Sequence, residues 1–216
     1  MIDTMSIDEG ENKMQNEHYD LRKEEILDAC EKLYDEYNFK EITIKLISER
    51  TTFSRPSIYN YFETKEEIFL ALFAKEYENW IVDLEDMCER NDKLTKEQFA
   101  EKLAHTIERR ERLLKFLSMN LYDLEENSRM ERLIEFKKSY GKAIHTVKIC
   151  VSKFFPKMSE DELVQFLYSF FPFMFGIYPY AKVTKKQSEA MKEAGIQYRD
   201  YSIYDLAYME IKKLLS

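Results

Sequence analysis

Apolar residues recur along most of this chain at intervals of three and four, the spacing that lays one face of an α-helix against a core. Ile26, Cys30, Leu33 and Tyr37 mark such a face and predict a first helix from about Asp20 to Tyr37. The run YNFKEI breaks it. Thr43 then suits the N-cap of a short second helix that shows Ile44 and Ile47 to the core. RTTFS reads as a tight turn, after which Ser54 caps a third, short helix ending near Phe62. Thr64 and Glu67 form a capping box, the threonine hydroxyl receiving the Glu67 amide while the glutamate reaches back. That box opens a long fourth helix through Ile68, Leu72, Tyr77 and Trp80 to about Cys88.

After the polar linker ERNDKL, Thr95 and Gln98 start a fifth helix, and Leu113, Leu117, Leu121 and Leu124 mark a sixth that stops at EENS. A long helix from about Arg129 to Phe155 ends at Pro156. Ser159 and Glu162 open an aromatic helix, KVTKKQSEAMKEAGIQYRD reads as a polar connection, and Ser202 caps a last amphipathic helix with Ile203, Leu206, Met209, Ile211 and Leu214. Strand-like alternation between turn clusters is nearly absent, and no repeat period appears. The fold class expected is all-α, about nine helices in all.

Composition sharpens this. Gly and Pro together are scarce, four of each, which favours long helices. Cys30, Cys88 and Cys150 stand far apart without metal-ligand spacing, so they read as reduced thiols serving as small core residues in a cytoplasmic protein. His105 and His145 lack companion ligands, so no metal site is expected. The most apolar stretch, FLYSFFPFMFGIYPYA from Phe166 to Ala181, is shorter than the roughly 20 residues of a membrane span and is interrupted by Pro172, Gly176 and Pro179. It reads as a buried or subunit-interface helix, with no membrane association expected. No glycine-rich phosphate loop, nucleophile elbow or His-Glu-x-x-His pattern is present, so no catalytic residue, enzyme activity or cofactor is assigned.

The net charge is −8, with −4 of it in residues 1–18, which read as a flexible acidic tail. Residues 40–65 carry a local excess of +2, which permits a polyanionic partner without requiring one. Within that stretch, two short helices joined by a tight turn and preceded by a long one have the layout of a helix-turn-helix. At 100° per residue, Ile58 and Phe62 share the inward side of the third helix, Pro56, Ser57, Asn60 and Tyr61 the outward side, and Arg55 and Tyr59 a flank. Outward tyrosines suit DNA: a hydroxyl can donate to a phosphate oxygen while the ring packs on sugar or a thymine methyl.

The segment TIKLISERTTFSRPSIYNYFETKEEIF resembles the DNA-binding part of the tetracycline-repressor (TetR) family of bacterial transcription regulators. The likeness covers about Leu21 to Phe73, and its most specific part is the run Ser-Arg-x-Ser-Ile-Tyr-x-Tyr-Phe-x-x-Lys-Glu-Glu. The later chain is similar to that family in layout alone. The resemblance implies a helix-turn-helix domain over 19–63 and a larger helical ligand-binding and dimerisation domain over 64–216. It implies that Thr43 holds a phosphate and Lys45 a base or phosphate. Arg55, Pro56 and Ser57 would approach base edges, with Tyr59, Asn60 and Tyr61 along the groove wall and Lys65 on a phosphate. Where that family usually has glycine in the turn, this chain has Thr52, so either the turn is adjusted or it carries strain.

The function expected is a ligand-responsive regulator, a repressor released from a palindromic double-stranded DNA operator by an unidentified small-molecule effector. Phe116, Met119, Tyr140, Phe170, Met174 and Tyr178 are the candidate effector contacts, and homodimerisation is expected through the helices around 160–180 and 202–215. The alternative is a helical small-molecule-binding protein or enzyme whose helix-turn-helix is incidental.

Overall fold

The computed structural model describes the backbone of residues 5–119 and 121–216, and side chains from residue 18 onward apart from residue 120. The described residues are all-α, with eleven helices and no strand. These are α1 (Met5–Glu36), α2 (Ile44–Ser48), α3 (Arg55–Ile58), α4 (Lys65–Glu89), α5 (Lys96–Glu108), α6 (Glu111–Leu117), α7 (Leu121–Glu126), α8 (Met130–Phe154), α9 (Glu160–Ala181), α10 (Lys185–Glu193) and α11 (Ile203–Leu214). Two more helices form than the apolar spacing predicts. The leucine-marked sixth helix is two pieces, α6 and α7, and the supposed polar connection after α9 contains α10. Helix α1 begins at Met5 rather than near Asp20. The acidic tail expected over 1–18 therefore lies partly outside the described residues and partly in helical backbone.

Two compact units share the chain, one running to Leu72 and taking in Asp123–Leu133, the other comprising Phe73–Tyr122 and Ile134–Ser216. Helices α4 and α8 each begin in the first and continue into the second. In the first unit, Ile26, Cys30 and Leu33 of α1, Ile42, Ile47 of α2, Ile58 of α3, Phe62, and Ile68 and Phe69 of α4 are fully buried. Tyr34 and Phe39 meet Phe69 edge to face at 5.2 and 4.7 Å between ring centroids, a favourable quadrupole arrangement. Cys30 is free and buried in this core, and desolvation pushes its thiol up to about 12.

In the second unit the core is strongly aromatic. Trp80 is fully buried with its indole N–H donating to Thr106 Oγ1 at 3.0 Å, and it packs on Phe170 and Phe171. Phe73, Tyr77, Phe116 and Phe136 form an adjoining cluster. Helix α11 lies against α5 and α9. The aromatic helix forms as expected, with Pro172 and Pro179 inside α9 and neither of them breaking it. Phe170, Phe171, Met174 and Ile177 are all buried along it, and that packing offsets the lost backbone bonds, about 3 kcal/mol per interior proline.

The expectation of three separate core thiols holds for Cys30 alone. Cys88 and Cys150 bring their sulfurs into disulfide contact, with Cα atoms 6.1 Å apart. The partners are 62 residues apart in sequence, so only the packing of α4 beside α8 reveals them.

Candidate nucleic-acid interface

Thr43 caps α2 as expected, its hydroxyl accepting the Leu46 amide at 3.2 Å. Lys45 stands exposed one turn from Glu49, at 3.9 Å. The turn that follows is closed by a residue of α1. Glu25 accepts the Thr52 amide at 2.5 Å through Oε1 and the Thr52 hydroxyl at 3.1 Å through Oε2. No non-glycine residue among those described has a positive φ, so Thr52 sits without left-handed strain and the turn is adjusted around it. Arg50 pairs with Glu36 at 3.1 Å, a second tie between the turn and α1.

The short helix α3 follows. Ser54 flanks it without a side-chain cap bond, because its hydroxyl pairs with that of Ser57 at 3.1 Å. Pro56 occupies the first turn, where its missing N–H costs no helix bond. Arg55, Pro56, Tyr59 and Asn60 are exposed and Ser57 is half-buried. Arg55 Nη2 donates to the Tyr59 hydroxyl at 3.0 Å with its guanidinium 5.8 Å from the ring centroid. Arginine and tyrosine thus present one joined polar edge.

One of the outward-facing assignments needs correction, and a second side chain has partners the sequence did not indicate. Tyr61 does not face outward: it is 6% exposed, its ring 4.6 Å from Tyr19 and 6.4 Å from Phe53. A 100° step already puts Tyr61, three residues on, about 60° from buried Ile58, and past α3 the chain tightens further through bonds from Asn60 N–H to Ser57 O and Tyr61 N–H to Ile58 O. At three residues per turn Tyr61 falls directly over buried Ile58. Lys65 also turns inward. Its ammonium donates to the carbonyls of Phe39 at 2.8 Å and Ile42 at 3.1 Å and lies 4.2 Å from the Phe39 ring centroid. It ties α4 to the loop before α2 with two of its three N–H donors.

The rear of this head is held by Glu67, which the sequence marks as a capping residue, and by Arg129 and Arg132, which it does not single out. Glu67 is fully buried. It keeps half of its capping box, donating its amide to Thr64 Oγ1 at 3.2 Å, but its carboxylate reaches the Glu63 amide rather than that of Thr64. Both carboxylate oxygens also accept from Arg129, Nε at 2.7 Å and Nη2 at 2.8 Å, with the Arg129 amide at 3.0 Å. Desolvation pushes the Glu67 carboxyl up, but the Arg129 and Glu63 hydrogen bonds together outweigh it and hold the group below the usual range. Arg132 donates to the Tyr61 carbonyl at 2.9 Å, with its guanidinium 5.4 Å from the Phe62 ring centroid. The Glu67–Arg129 pair spans 62 residues and leaves no local signature.

The six candidate effector contacts lie in the second unit. Phe116, Phe170 and Met174 are fully buried, Met119, Tyr140 and Tyr178 partly so. Phe116 packs on Phe73, Tyr140 on Tyr77 and Phe171, and Phe170 on Trp80. None lines a described cavity; the largest of these, about 670 Å³, is bounded by Phe154, Pro156, Phe166 and Leu215 with Lys96 and Lys157 at its rim. Among the described residues, no group of three or more His, Cys, Asp or Glu could hold a metal ion, and no helix is long and apolar enough to cross a membrane.

Comparison with known proteins agrees with this arrangement. Residues 26–72 match the profile of bacterial regulatory proteins of the tetR family, and residues 74–202 match the tetracyclin repressor-like C-terminal domain. Over 57 residues the chain is 39% identical to the HTH-type transcriptional regulator YfiR of Bacillus subtilis, and over 66 residues 27% identical to the HTH-type transcriptional repressor Rv1474c of Mycobacterium tuberculosis. The matched segments span 26% and 31% of this chain, and 28% and 35% of those proteins. Among solved structures, the transcriptional regulator FadR of Bacillus subtilis in complex with stearoyl-CoA superposes with a TM-score of 0.58 at 17% identity, covering 89% of this chain and 97% of that one. RolR in complex with resorcinol gives 0.52 at 14% identity, covering 93% and 96%. At these identities the likeness is one of fold.

Proposed function

Because the chain belongs to the tetR family of bacterial regulatory proteins, we propose that it is a homodimeric repressor released from its operator by a small molecule. The observation that carries this reading is the head itself. Ile58 and Phe62 are sealed beneath α3 while Arg55, Pro56, Tyr59 and Asn60 stand in solvent, with Arg55 and Tyr59 already paired. Arg55 suits bidentate readout of a guanine edge, Tyr59 and Asn60 the groove wall, and Thr43 and Lys45 the flanking phosphates.

The dimer is proposed through α9 and α11. Val164 and Tyr168, one turn apart on α9, are 41% and 79% exposed, Pro172 continues their line, and Met209 of α11 is 44% exposed. A second copy would cover this apolar stripe. Two heads would then enter successive major grooves about 34–36 Å apart. Solved proteins of this fold hold stearoyl-CoA and resorcinol, which supports an effector with an apolar or aromatic body among the aromatic residues of the second unit. A hundredfold preference of that effector for the wrongly spaced dimer supplies about 2.7 kcal/mol against DNA binding. The net charge of −8 suppresses nonspecific adhesion to DNA, and DNA binding places the protein in the cytoplasm.

Selection of bound duplexes from a random pool tests this. The expected result is one inverted repeat, bound by a dimer; recovery of no preferred duplex at moderate salt refutes the reading.

A further inference from the structure

Helices α4 and α8 lie side by side in a register set by several independent contacts. Lys142 pairs with Glu78 at 2.9 Å, Cys150 Sγ lies 3.7 Å from the Leu84 carbonyl, and Lys153 Nζ donates to the Cys88 carbonyl at 2.6 Å. This register brings Cys88 and Cys150 together, with Cα atoms 6.1 Å apart, inside the window that a disulfide requires. The two thiols differ in access. Cys88, in the last turn of α4, is half-buried, whereas Cys150 is 1% exposed.

We propose that Cys88 and Cys150 form a reversible thiol–disulfide site, oxidised by a low-molecular-weight disulfide, that ties the end of α4 to α8. The Cys88 thiolate attacks one sulfur of the small disulfide, forming a mixed disulfide and releasing one small thiolate, which takes up the proton lost by Cys88. Cys150 then loses its proton, attacks Cys88 Sγ and expels the second small thiolate, which takes that proton. Two protein thiols are oxidised, and one small disulfide is reduced to two thiols. In the reducing cytoplasm that a DNA regulator occupies, such a link is transient and reports oxidising conditions. This regulatory use rests on the DNA-binding reading above. Tying α4 to α8 restricts the helix that carries Lys65 and Glu67 of the head, so the oxidised dimer tolerates a narrower range of half-site spacing.

The test uses the full chain treated with oxidised glutathione or with dithiothreitol, digested without reduction and mapped by mass spectrometry. A Cys88–Cys150 linked peptide is expected under oxidised glutathione and is lost under dithiothreitol. Cys150→Ser should accumulate glutathione on Cys88, while Cys88→Ser leaves Cys150 unmodified, which fixes the order of attack. Both thiols staying free, adduct on Cys150 in Cys88→Ser, or a link between two copies overturns the site. On selected duplexes with half-sites moved by one base pair, the penalty should be about tenfold larger for the oxidised protein. An equal penalty in both redox states overturns the regulatory use while leaving the site. If the link forms and no duplex is bound by either form, the DNA reading fails and the thiol site stands.

Discussion

Replacing Arg129 by alanine should cost more stability than neutralising its partner, and the excess should vanish in acid. Glu67 is fully buried, whereas the Arg129 side chain keeps 38% of its surface in water. Removing the arginine side chain strands a buried carboxylate with two backbone donors, the amides of Glu63 and of residue 129, and no charged partner, a loss of about 3–5 kcal/mol. Glu67→Gln keeps shape and leaves a guanidinium that water can reach, but its NH2 must face one of the two backbone donors, so it forfeits the charge-assisted part and one backbone bond, roughly 2–3 kcal/mol. In the native chain the Glu67 pKa is depressed, so its contribution is complete above the unfolded carboxylate range near pH 4.3 and lost as pH falls through the folded value. In Arg129→Ala, desolvation dominates and the folded pKa rises above the unfolded one. Acid therefore relieves the variant while weakening the wild type. Urea unfolding at pH 7.5 and pH 4 reads this: midpoints separated by about 1 M between the two variants at pH 7.5 should converge at pH 4. Equal midpoints at neutral pH, or a gap indifferent to pH, would show that Glu67 is not held as an ion pair.

Arg55→Ala should weaken binding to the selected duplex by about 1–3 kcal/mol and relax preference at one base pair, read by titrating single-base variants. Tyr61→Phe should leave operator affinity unchanged, while Tyr61→Ala lowers stability by about 3–5 kcal/mol through loss of packing on Tyr19 and Phe53; a DNA defect in a stable Tyr61→Phe would restore the outward-facing assignment. Lys65→Met should lower the melting temperature, because two backbone carbonyls lose their donor, without changing the salt slope of DNA binding. A slope reduced by about one would show that Lys65 reaches a phosphate after all.

What could be read from the sequence was local. The boxes at Thr95–Gln98 and Ser159–Glu162 and the cap at Ser202 form as spaced, because a cap depends on residues three apart and little else. Helix α10 was legible by the same rule, with Thr184 and Gln187 boxing its start. Its end is a Schellman turn, Gly195 at φ 70 with the Gly195 amide to the Lys192 carbonyl and the Ile196 amide to that of Met191. Apolar spacing marks it only as a connection, because no residue of it is buried. The partners of Tyr61, Lys65 and Glu67 are not legible for the opposite reason. Each lies next to a correctly placed element, but Tyr19, Phe39 and Arg129 decide where they point, and those partners lie 26 to 62 residues away.

The same distance relation bears on how such a head can be controlled. Helices of five and four residues, as α2 and α3 are, cannot hold their own shape in water. The exposed edge at Arg55 and Tyr59 therefore owes its position to what lies behind it. Glu25 closes the turn from α1, Lys65 closes the loop from α4, and Arg132 of α8 holds the Tyr61 carbonyl. None of these groups needs to touch DNA to change what Arg55 meets. A displacement of α4 or α8 by an effector or a cysteine link would reach the head through those bonds, and the bonds are few enough to be cut one at a time by substitution.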